Sequence, residues 1–433
     1  MQSRSIANLV PKRYSFIPNS FIPKQFYFTT VLFRTVPFRT VLLRSKFYIA
    51  AVLLHFSSIP RANKIDKSYV ALTSSRGLET IAHKMFMRVS AILPFYLIYI
   101  PTLVYLISGK SVMHSVFALF YPGLLVIDNG HFQYNSVSLG LFLAMILCLF
   151  RNRVYLGSVF FVAALNYKQM ELYHALPVFV FILSKSVNKT EPMQSLIKII
   201  KIGMVVICSF ILLWLPFIAT GTIQDVLIRI FPFNRGIYED KVASFWCAFS
   251  VVLKRLPIQN IQIHISTAMV LLSSSVSLVR LFLKPSTRNF KLTLVTTSLS
   301  FFLFSFHVHE KTILLAVIPA ILLLPEYPEH VLWMLNISNI SLFDLCLKDN
   351  STSFVFFFFF YFLVSFSFVK NSGKTSKIHF VSVLLGFFLC ASQLYGPRIP
   401  RFPHLYQLGN AFYCCIHFIY FLIFFTLESF RKV

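Results

Sequence analysis

The chain has 433 residues, of which 57% are hydrophobic, 17% are aromatic and only 12% are charged. A soluble protein could neither bury this much apolar surface nor cover it with polar residues, so the composition excludes a soluble globular fold. The net charge of +26 would suggest nucleic-acid binding in a soluble protein, but cytoplasmic loops of membrane proteins also collect Lys and Arg. Strict two-residue alternation is absent, so we expect an all-α polytopic membrane protein with lipid, and no nucleic acid, as its partner.

The first sixty residues differ in composition from the rest. They contain eight Lys or Arg and no acid, which is typical of a transit peptide. A mispredicted or spliced exon, or an N-terminal anchor around the apolar stretch 47–56, would have the same composition. We therefore separate an atypical basic segment, residues 1–65, from a predicted membrane domain, residues 66–433.

Apolar runs recur along the membrane domain, and most approach the ~20 residues that a helix needs to cross the hydrocarbon. They predict about thirteen spans. The spans lie near 87–107, 112–127, 136–150, 154–166, 174–184, 202–219, 262–283, 292–306, 312–325, 331–343, 354–369, 378–394 and 408–427.

Every second connection between these spans is basic. The basic connections contain Lys110; Arg151 and Arg153; Lys185, Lys189, Lys198 and Lys201; Lys284, Arg288 and Lys291; Lys370, Lys374 and Lys377; and, after the last span, Arg431 and Lys432. The positive-inside rule places these connections and the C-terminus in the cytosol. The alternate connections, 128–135, 166–174, 221–245, 307–311, 344–353 and 395–407, are then lumenal.

Four polar clusters fall in the lumenal connections. Polar groups at membrane depth are costly unless they are paired or hydrated, so such clusters are candidate functional sites. The first contains His131, Gln133, Tyr134 and Asn135, whose imidazole, amide and phenol groups suit sugar hydroxyls. Capping of the next helix by Asn135 or Ser136, with Gly130 as a turn residue, is the alternative explanation.

The second and third clusters carry mixed charges. The second contains Lys168 and Glu171, which could bind a ligand or simply pair with each other at i and i+3 on a helix. The third is an aromatic segment that could lie as an amphipathic helix at the interface. That alternative does not account for its four charged residues, Arg235, Glu239, Asp240 and Lys241.

The fourth cluster contains His307, His309, Glu310 and Lys311. Its spacing lacks the two His residues at i and i+4 of a zincin helix, so we expect no metal site. A lysine flanked by imidazoles suits a phosphate, although a snorkelling Lys311 would be the structural alternative. Gly-rich nucleotide-binding motifs are absent, which favours a lipid-phosphate sugar donor over a nucleotide sugar and predicts no cofactor.

Together, these segments resemble the endoplasmic-reticulum α-1,3-glucosyltransferases of asparagine-linked glycosylation, whose donor is dolichyl-phosphate glucose. The resemblance covers about residues 66–430. Its segments, in the order of the family, are Ser75–Gly77, Ala82–Lys84, Phe86–Arg88, Gly130–Asn135, Asn166–Pro177 and Ser305–Lys311.

The third cluster indicates which member of this family the chain resembles. Phe231–Gly236, Glu239–Ala243 and Phe245–Cys247 are more similar to the enzyme that adds the first glucose to the nine-mannose, dolichyl-pyrophosphate-linked oligosaccharide. The second-glucose enzyme is the alternative within the family. The resemblance implies a GT-C-like helix bundle in the endoplasmic-reticulum membrane, with a lumenal active site and an inverting, metal-independent transfer.

The resemblance provides no counterpart for the family's catalytic base. That base is an Asp in the first lumenal loop, beside a Tyr-Pro-Pro-Leu-Thr-type stretch, whereas residues 1–65 contain neither the stretch nor an acid. Asp66 falls after the family position, so we assign no catalytic residue and expect no glucose transfer if the natural chain begins as given. A catalytically inactive homologue that still binds lipid-linked glycan is one alternative. A transporter or channel is another, but it would place polar residues near the midplane.

Overall fold

The computed structural model describes residues 81–130, 133–188, 190–230, 241–250, 261–306, 308–349, 354–371, 374–397, 399–400 and 402–431. These residues belong to one compact unit, Glu79–Val433. The basic segment 1–65 lies outside the described residues, so its boundary stays a prediction.

Helices form every regular element among the described residues. In the first half, α1 continues through a π-helical turn, Phe95–Tyr99, into α2, and a second π-helical segment, Leu125–Gly130, follows α4. A 3-10 turn, Gln169–His174, separates α6 from α7. The helices are α1 (Ile81–Pro94), α2 (Ile100–Ile107), α3 (Val112–Leu119), α4 (Pro122–Leu124), α5 (Asn135–Phe150), α6 (Val154–Tyr167) and α7 (Ala175–Ser186).

The second half is also helical, with a 3-10 turn, Glu310–Ile313, between α12 and α13. Its helices are α8 (Pro192–Ala219), α9 (Ile223–Ile230), α10 (Phe245–Ala248), α11 (Gln262–Leu283), α12 (Thr287–Phe304), α13 (Leu314–Ile321), α14 (Pro328–Ser341), α15 (Phe343–Lys348), α16 (Phe354–Val369), α17 (Lys374–Tyr395) and α18 (Leu405–Glu428).

Seven helical segments of the described chain are long and apolar enough to cross a membrane. They are Arg88–Ile107, Val112–Gly130, Pro192–Ala219, Gln262–Leu283, Pro328–Lys348, Thr375–Tyr395 and Leu405–Glu428. Three shorter apolar helices, α5, α6 and α16, add to this set. The prediction of an all-α polytopic membrane protein is confirmed, whereas the number of thirteen spans stays a prediction.

The candidate spans differ in how far they are buried within the bundle. In the most apolar stretch of Pro328–Lys348, 83% is buried inside the protein, whereas in that of Pro192–Ala219 only 6% is buried. A helix that is apolar all round must face either protein or lipid. The segment containing α14 is therefore central, and α8 is a peripheral helix whose surface is left to lipid.

Two boundaries differ from the sequence-based expectation. Helix α8 begins ten residues before the expected span at 202, so Lys198 and Lys201 lie on a helix instead of in a loop. A helix can extend beyond the hydrocarbon when long cationic side chains reach water. Asp128, expected in the connection 128–135, lies inside the π-helical segment that ends at Gly130.

Candidate functional site

A cavity of about 340 Å³ lies where the first turn of α5, the 3-10 turn before α7 and the segment leading into α13 meet. Its wall includes six of the residues expected from sequence, drawn from the first, second and fourth clusters. The lining residues are Gln133, Asn135, Ser138, Leu139, Lys168, Met170, Glu171, His309, Lys311, Thr312, Leu314 and Leu315.

Asp128 holds the first turn of α5 in place. The residue before this helix, Tyr134, has a left-handed φ of 52° and provides no side-chain cap. The fully buried Asp128 instead accepts hydrogen bonds from the backbone N and Nδ2 of Asn135, at 3.1 and 2.7 Å, and from the backbone N of Ser136, at 2.5 Å. It thereby satisfies N–H groups that the start of a helix leaves without partners. Asn135 does not cap its own helix, contrary to the alternative considered from sequence.

The side chain of Asn135 connects this anchor to Lys168. While its Nδ2 donates to Asp128, its Oδ1 accepts a hydrogen bond from Nζ of Lys168. Burial lowers the pKa of Lys168, and the carboxylates of Asp128 and Glu171 partly offset that effect. Lys168 is therefore a cation whose charge is costly to keep buried and would be stabilised by an anionic ligand.

Glu171 is bound at both carboxylate oxygens. Ser138 Oγ donates to its Oε1 at 2.7 Å, and His174 Nδ1 lies 2.6 Å from its Oε2. The other ring nitrogen of His174 lies 2.7 Å from the carbonyl oxygen of Leu315 at the start of α13, and its ring stacks on Phe142 at 3.9 Å. Within the described chain, no ion pair joins Lys168 to Glu171, so the i, i+3 pairing considered as an alternative to ligand binding is not formed.

The fourth cluster separates into a cavity wall and a buried anchor. His309 and Lys311 line the cavity, whereas Glu310 is buried, with its Oε2 2.9 Å from His309 Nδ1 and its Oε1 3.0 Å from Lys348 Nζ. Burial alone would raise the pKa of Glu310, but His309 and Lys348 outweigh it and lower the pKa to about 2. Glu310 therefore positions its neighbours and does not face the cavity.

Sequence analysis assigned no role to four described residues that support the site. They are Asp128, Ser138, His174 and Lys348. Lys348, in α15, also pairs with Asp344 at 3.3 Å. A signal for Asp128 was present, because it is an acid within an apolar helical segment. No comparable signal marks Lys348, which reaches Glu310 only through the packing of α15.

Two further expected residues within the described ranges, Tyr134 and Lys241, do not line this cavity. The Tyr134 hydroxyl instead forms a 2.7 Å hydrogen bond with Ser90 of α1. Lys241 is half-buried and is not part of the cavity wall. Five expected residues lie outside the described part of the chain. They are His131, Arg235, Glu239, Asp240 and His307.

The chemistry of the wall favours an anionic, hydroxyl-rich ligand. Lys168 and Lys311 supply ammonium groups, Gln133 and Asn135 supply amides, and His309 supplies an imidazole. Across the residues described, no group of three or more His, Cys, Asp or Glu side chains is placed to hold a metal ion. Ammonium groups bind phosphate, while amides and carboxylates form directional hydrogen bonds with hydroxyls.

Comparisons with known proteins identify relatives over most of the chain. A Caenorhabditis elegans protein named "Probable dolichyl pyrophosphate Man9GlcNAc2 alpha-1,3-glucosyltransferase" is 58% identical over 377 residues, 86% of this chain and 74% of the relative. The chicken protein named "Dolichyl pyrophosphate Man9GlcNAc2 alpha-1,3-glucosyltransferase" is 39% identical over 84% of this chain and 80% of its own. A Dictyostelium discoideum relative is 34% identical over 84% of this chain and 78% of its own. Residues 49–425 match the family model, and the chain therefore belongs to the ALG6, ALG8 glycosyltransferase family.

Proposed function

We propose that this chain transfers glucose from dolichyl-phosphate glucose to the nine-mannose oligosaccharide carried by dolichyl pyrophosphate, forming an α-1,3 linkage in the endoplasmic-reticulum membrane. The observation that carries this proposal is the convergence of three distant polar segments on one cavity with two lysines. The names of the relatives support this activity and the first-glucose acceptor.

In this proposal the cavity binds the sugar-phosphate end of the donor. Its volume of about 340 Å³ lies at the lower end of the ~300–1,000 Å³ typical of small-molecule sites, so a glucosyl phosphate suits it better than a whole oligosaccharide. Lys311, His309 and Lys168 bind the phosphate. The amides of Gln133 and Asn135 bind the sugar hydroxyls, together with Glu171, since each carboxylate oxygen has a second lone pair beyond its present bond.

Inverting transfer requires a base to accept the proton of the acceptor hydroxyl as its oxygen attacks the anomeric carbon, and we assign this base to none of the cavity-lining residues. The bond from that carbon to the donor phosphate breaks, and the departing phosphate gains negative charge. Fixed cations stabilise such developing charge without reorganising. Lys168 and Lys311 therefore contribute more to the transition state than to the bound donor, which should appear in kcat as well as in KM.

The arrangement of charges supports a lumenal site. The cavity lies at the N-terminal ends of α5 and α13. Arg151 follows the C-terminal end of α5, and Lys291 lies near the N-terminal end of α12, the helix whose C-terminal end leads toward α13. Arg280, near the end of α11, donates to the Ser429 carbonyl, so the C-terminus lies at that basic end too. By the positive-inside rule the basic end and the C-terminus are cytosolic.

Six of the expected residues that are not assigned to the donor are assigned to the acceptor and to its approach. Arg235, Glu239, Asp240 and Lys241, with their mixed charges, suit the many hydroxyls of a branched glycan, and His131 and His307 adjoin cavity-lining segments in sequence. We assign these six residues to substrate binding as part of the proposal.

The test is a transfer assay in microsomes from cells that lack their own first-glucose enzyme. The 433-residue chain is expressed there, and labelled dolichyl-phosphate glucose is supplied with either the unglucosylated or the singly glucosylated lipid-linked oligosaccharide. From the sequence alone we expect no transfer by a chain that begins as given, but the names of the relatives favour an active transferase. We therefore expect label, and only on the unglucosylated acceptor. Label on the singly glucosylated acceptor alone would make the chain a second-glucose enzyme, and label on neither would overturn the proposed activity.

Two variants test the phosphate assignment. Lys311→Ala should reduce kcat/KM for the donor about 10- to 100-fold, because one charge-assisted hydrogen bond contributes about 1.5–3 kcal/mol. Lys284→Ala serves as the control, since Lys284 is exposed after α11, away from the cavity wall. Unchanged donor kinetics in Lys311→Ala would remove this residue from the phosphate site.

A further inference from the structure

A second cavity, of about 300 Å³, lies at the other end of the helices that build the candidate site. Phe150 at the end of α5, Lys291 in the first turns of α12 and Glu326 after α13 contribute to its wall. Helix α5 lines both cavities, at Asn135 and at Phe150. It has 16 residues and is about 24 Å long at 1.5 Å per residue, which covers most of the ~30 Å hydrocarbon thickness. The two cavities therefore open toward opposite membrane faces.

The polar part of this wall carries more positive than negative charge. Lys110, Lys291 and the carboxylate of Glu326 line it, together with His114. Lys291 pairs with Glu326 and donates to the Leu322 carbonyl at 3.1 Å, which leaves one of its three N–H donors for another acceptor.

Two further groups have unused hydrogen-bonding capacity. The side chain of Lys110 is exposed, and the structure gives it no hydrogen bond or ion pair to any described residue. The Nδ1 atom of His114 is buried and likewise has no hydrogen-bond partner in the described chain. A buried polar atom without a partner is costly, so a ligand that supplies an acceptor or a donor here gains more than it would in water.

The rest of the wall is apolar. Leu106, Ile107 and Phe150 face the same space, along with Ile321, Leu322 and Leu324. A purely ionic ligand would make no use of these side chains. An amphiphile would place its charged head beside Lys110 and Lys291 and its first carbon atoms against the apolar wall.

We propose that this second cavity binds the phosphate headgroup of an anionic phospholipid from the surrounding bilayer. Basic pockets between membrane helices bind such headgroups, and ammonium groups act as point charges for phosphate. The neighbouring Arg288 is not part of this wall and is bound instead to Tyr327 and Glu428. This site needs no glucosyl donor and is independent of the transfer reaction.

Binding is measured on the full chain purified in a neutral detergent, by native mass spectrometry with phosphatidylinositol or phosphatidylcholine. We expect retention of phosphatidylinositol but not of phosphatidylcholine. Lys110→Gln should weaken phosphatidylinositol binding about fivefold, since each cation near a lipid headgroup contributes about 1 kcal/mol. Lys110→Arg should bind like the parent, because it keeps the charge.

His114→Phe and Lys284→Gln complete the test. His114→Phe preserves a ring beside Phe368, whose ring centroid lies 5.6 Å from that of His114. This variant should weaken phosphatidylinositol binding because it removes Nδ1. Lys284→Gln removes an exposed charge that is not part of the wall, and it should leave binding unchanged.

Three results would overturn the proposal. The first is that Lys110→Gln binds phosphatidylinositol as tightly as the parent. The second is that Lys284→Gln loses as much affinity as Lys110→Gln, which would indicate a diffuse attraction to the charged surface. The third is displacement of the lipid by inorganic phosphate at an equal concentration, which would make the cavity a site for soluble phosphate.

Discussion

Replacing Asp128 with Asn tests whether the anchor of α5 sets the geometry of the cavity. The fully buried carboxylate accepts two hydrogen bonds from Asn135 and one from Ser136. An amide of the same shape keeps one acceptor oxygen and places an NH₂ group against an N–H donor. Both Asn135 bonds go to Oδ1, so the amide oxygen keeps most bonds at that position and the NH₂ group then faces the Ser136 N–H. The first turn of α5 loses its attachment at Ser136, which displaces the Asn135 oxygen that holds Lys168 at the cavity.

The expected size follows from the bonds lost. A hydrogen bond to a charged group contributes about 1.5–3 kcal/mol, and an unsatisfied buried donor adds a cost of similar size. Since the uncharged side chain is cheaper to bury, we expect a net loss of about 2 kcal/mol in the free energy of unfolding. If the displaced Lys168 stabilises the transition state by about 1.4 kcal/mol less than in the parent, kcat/KM for the donor falls about tenfold.

The assay combines thermal unfolding in detergent with donor kinetics in microsomes. Asn129→Ala is the matched control, because Asn129 lies in the same π-helical turn and its buried Oδ1 bonds to no described residue. Asn135→Ala should lower kcat/KM like Asp128→Asn, and the double variant should lose little more, because both act on Lys168. Parental kinetics in Asp128→Asn, or fully additive losses, would refute the coupling.

Three further predictions concern charged residues. Because burial lowers the pKa of Lys168, donor kcat/KM should fall with rising pH before the ordinary lysine value of 10.5 is reached, and Lys168→Arg should abolish this alkaline fall. The pKa of Glu310 is lowered from 4.5 to about 2, so its ion pairs stabilise the fold above pH 4.5, and that stability is lost as the pH falls toward 2. The melting temperature of Glu310→Gln should therefore lack the decrease that this loss causes in the parent between pH 4.5 and 2. Arg288→Ala breaks the contacts with Tyr327 and Glu428 and should lower the melting temperature by about 2–4 °C, whereas an unchanged value would show that these contacts add nothing.

Hydropathy predicted where the helices lie better than where they end. The expected spans 136–150 and 154–166 agree with α5 and α6 to within a residue. The expected loop at 344–353, however, begins inside α15, and α8 starts well before its expected span. Hydropathy reports the lipid environment of a segment, whereas a helix ends where its backbone hydrogen bonds end, and these two limits need not coincide.

Charge asymmetry predicted part of the site, because it placed separate polar segments on one membrane face. Gln133, Lys168 and His309 do share a cavity, although no local pattern joins them. The roles of their neighbours could not be predicted, since Glu310 is turned away from the cavity by Lys348, which is 38 positions away. Such contacts depend on helix packing, which a single sequence does not encode locally.

The hydrogen bonds of His174 have a consequence for the number of protons in the cavity wall. The carbonyl of Leu315 can only accept, so Nε2 of His174 carries a hydrogen. One further proton lies between Nδ1 and the Glu171 carboxylate, and whichever atom holds it, the pair sums to zero charge. Glu171 therefore does not cancel the positive charge of Lys168 and Lys311, and a proton can shift within the pair while the cavity's total charge stays constant.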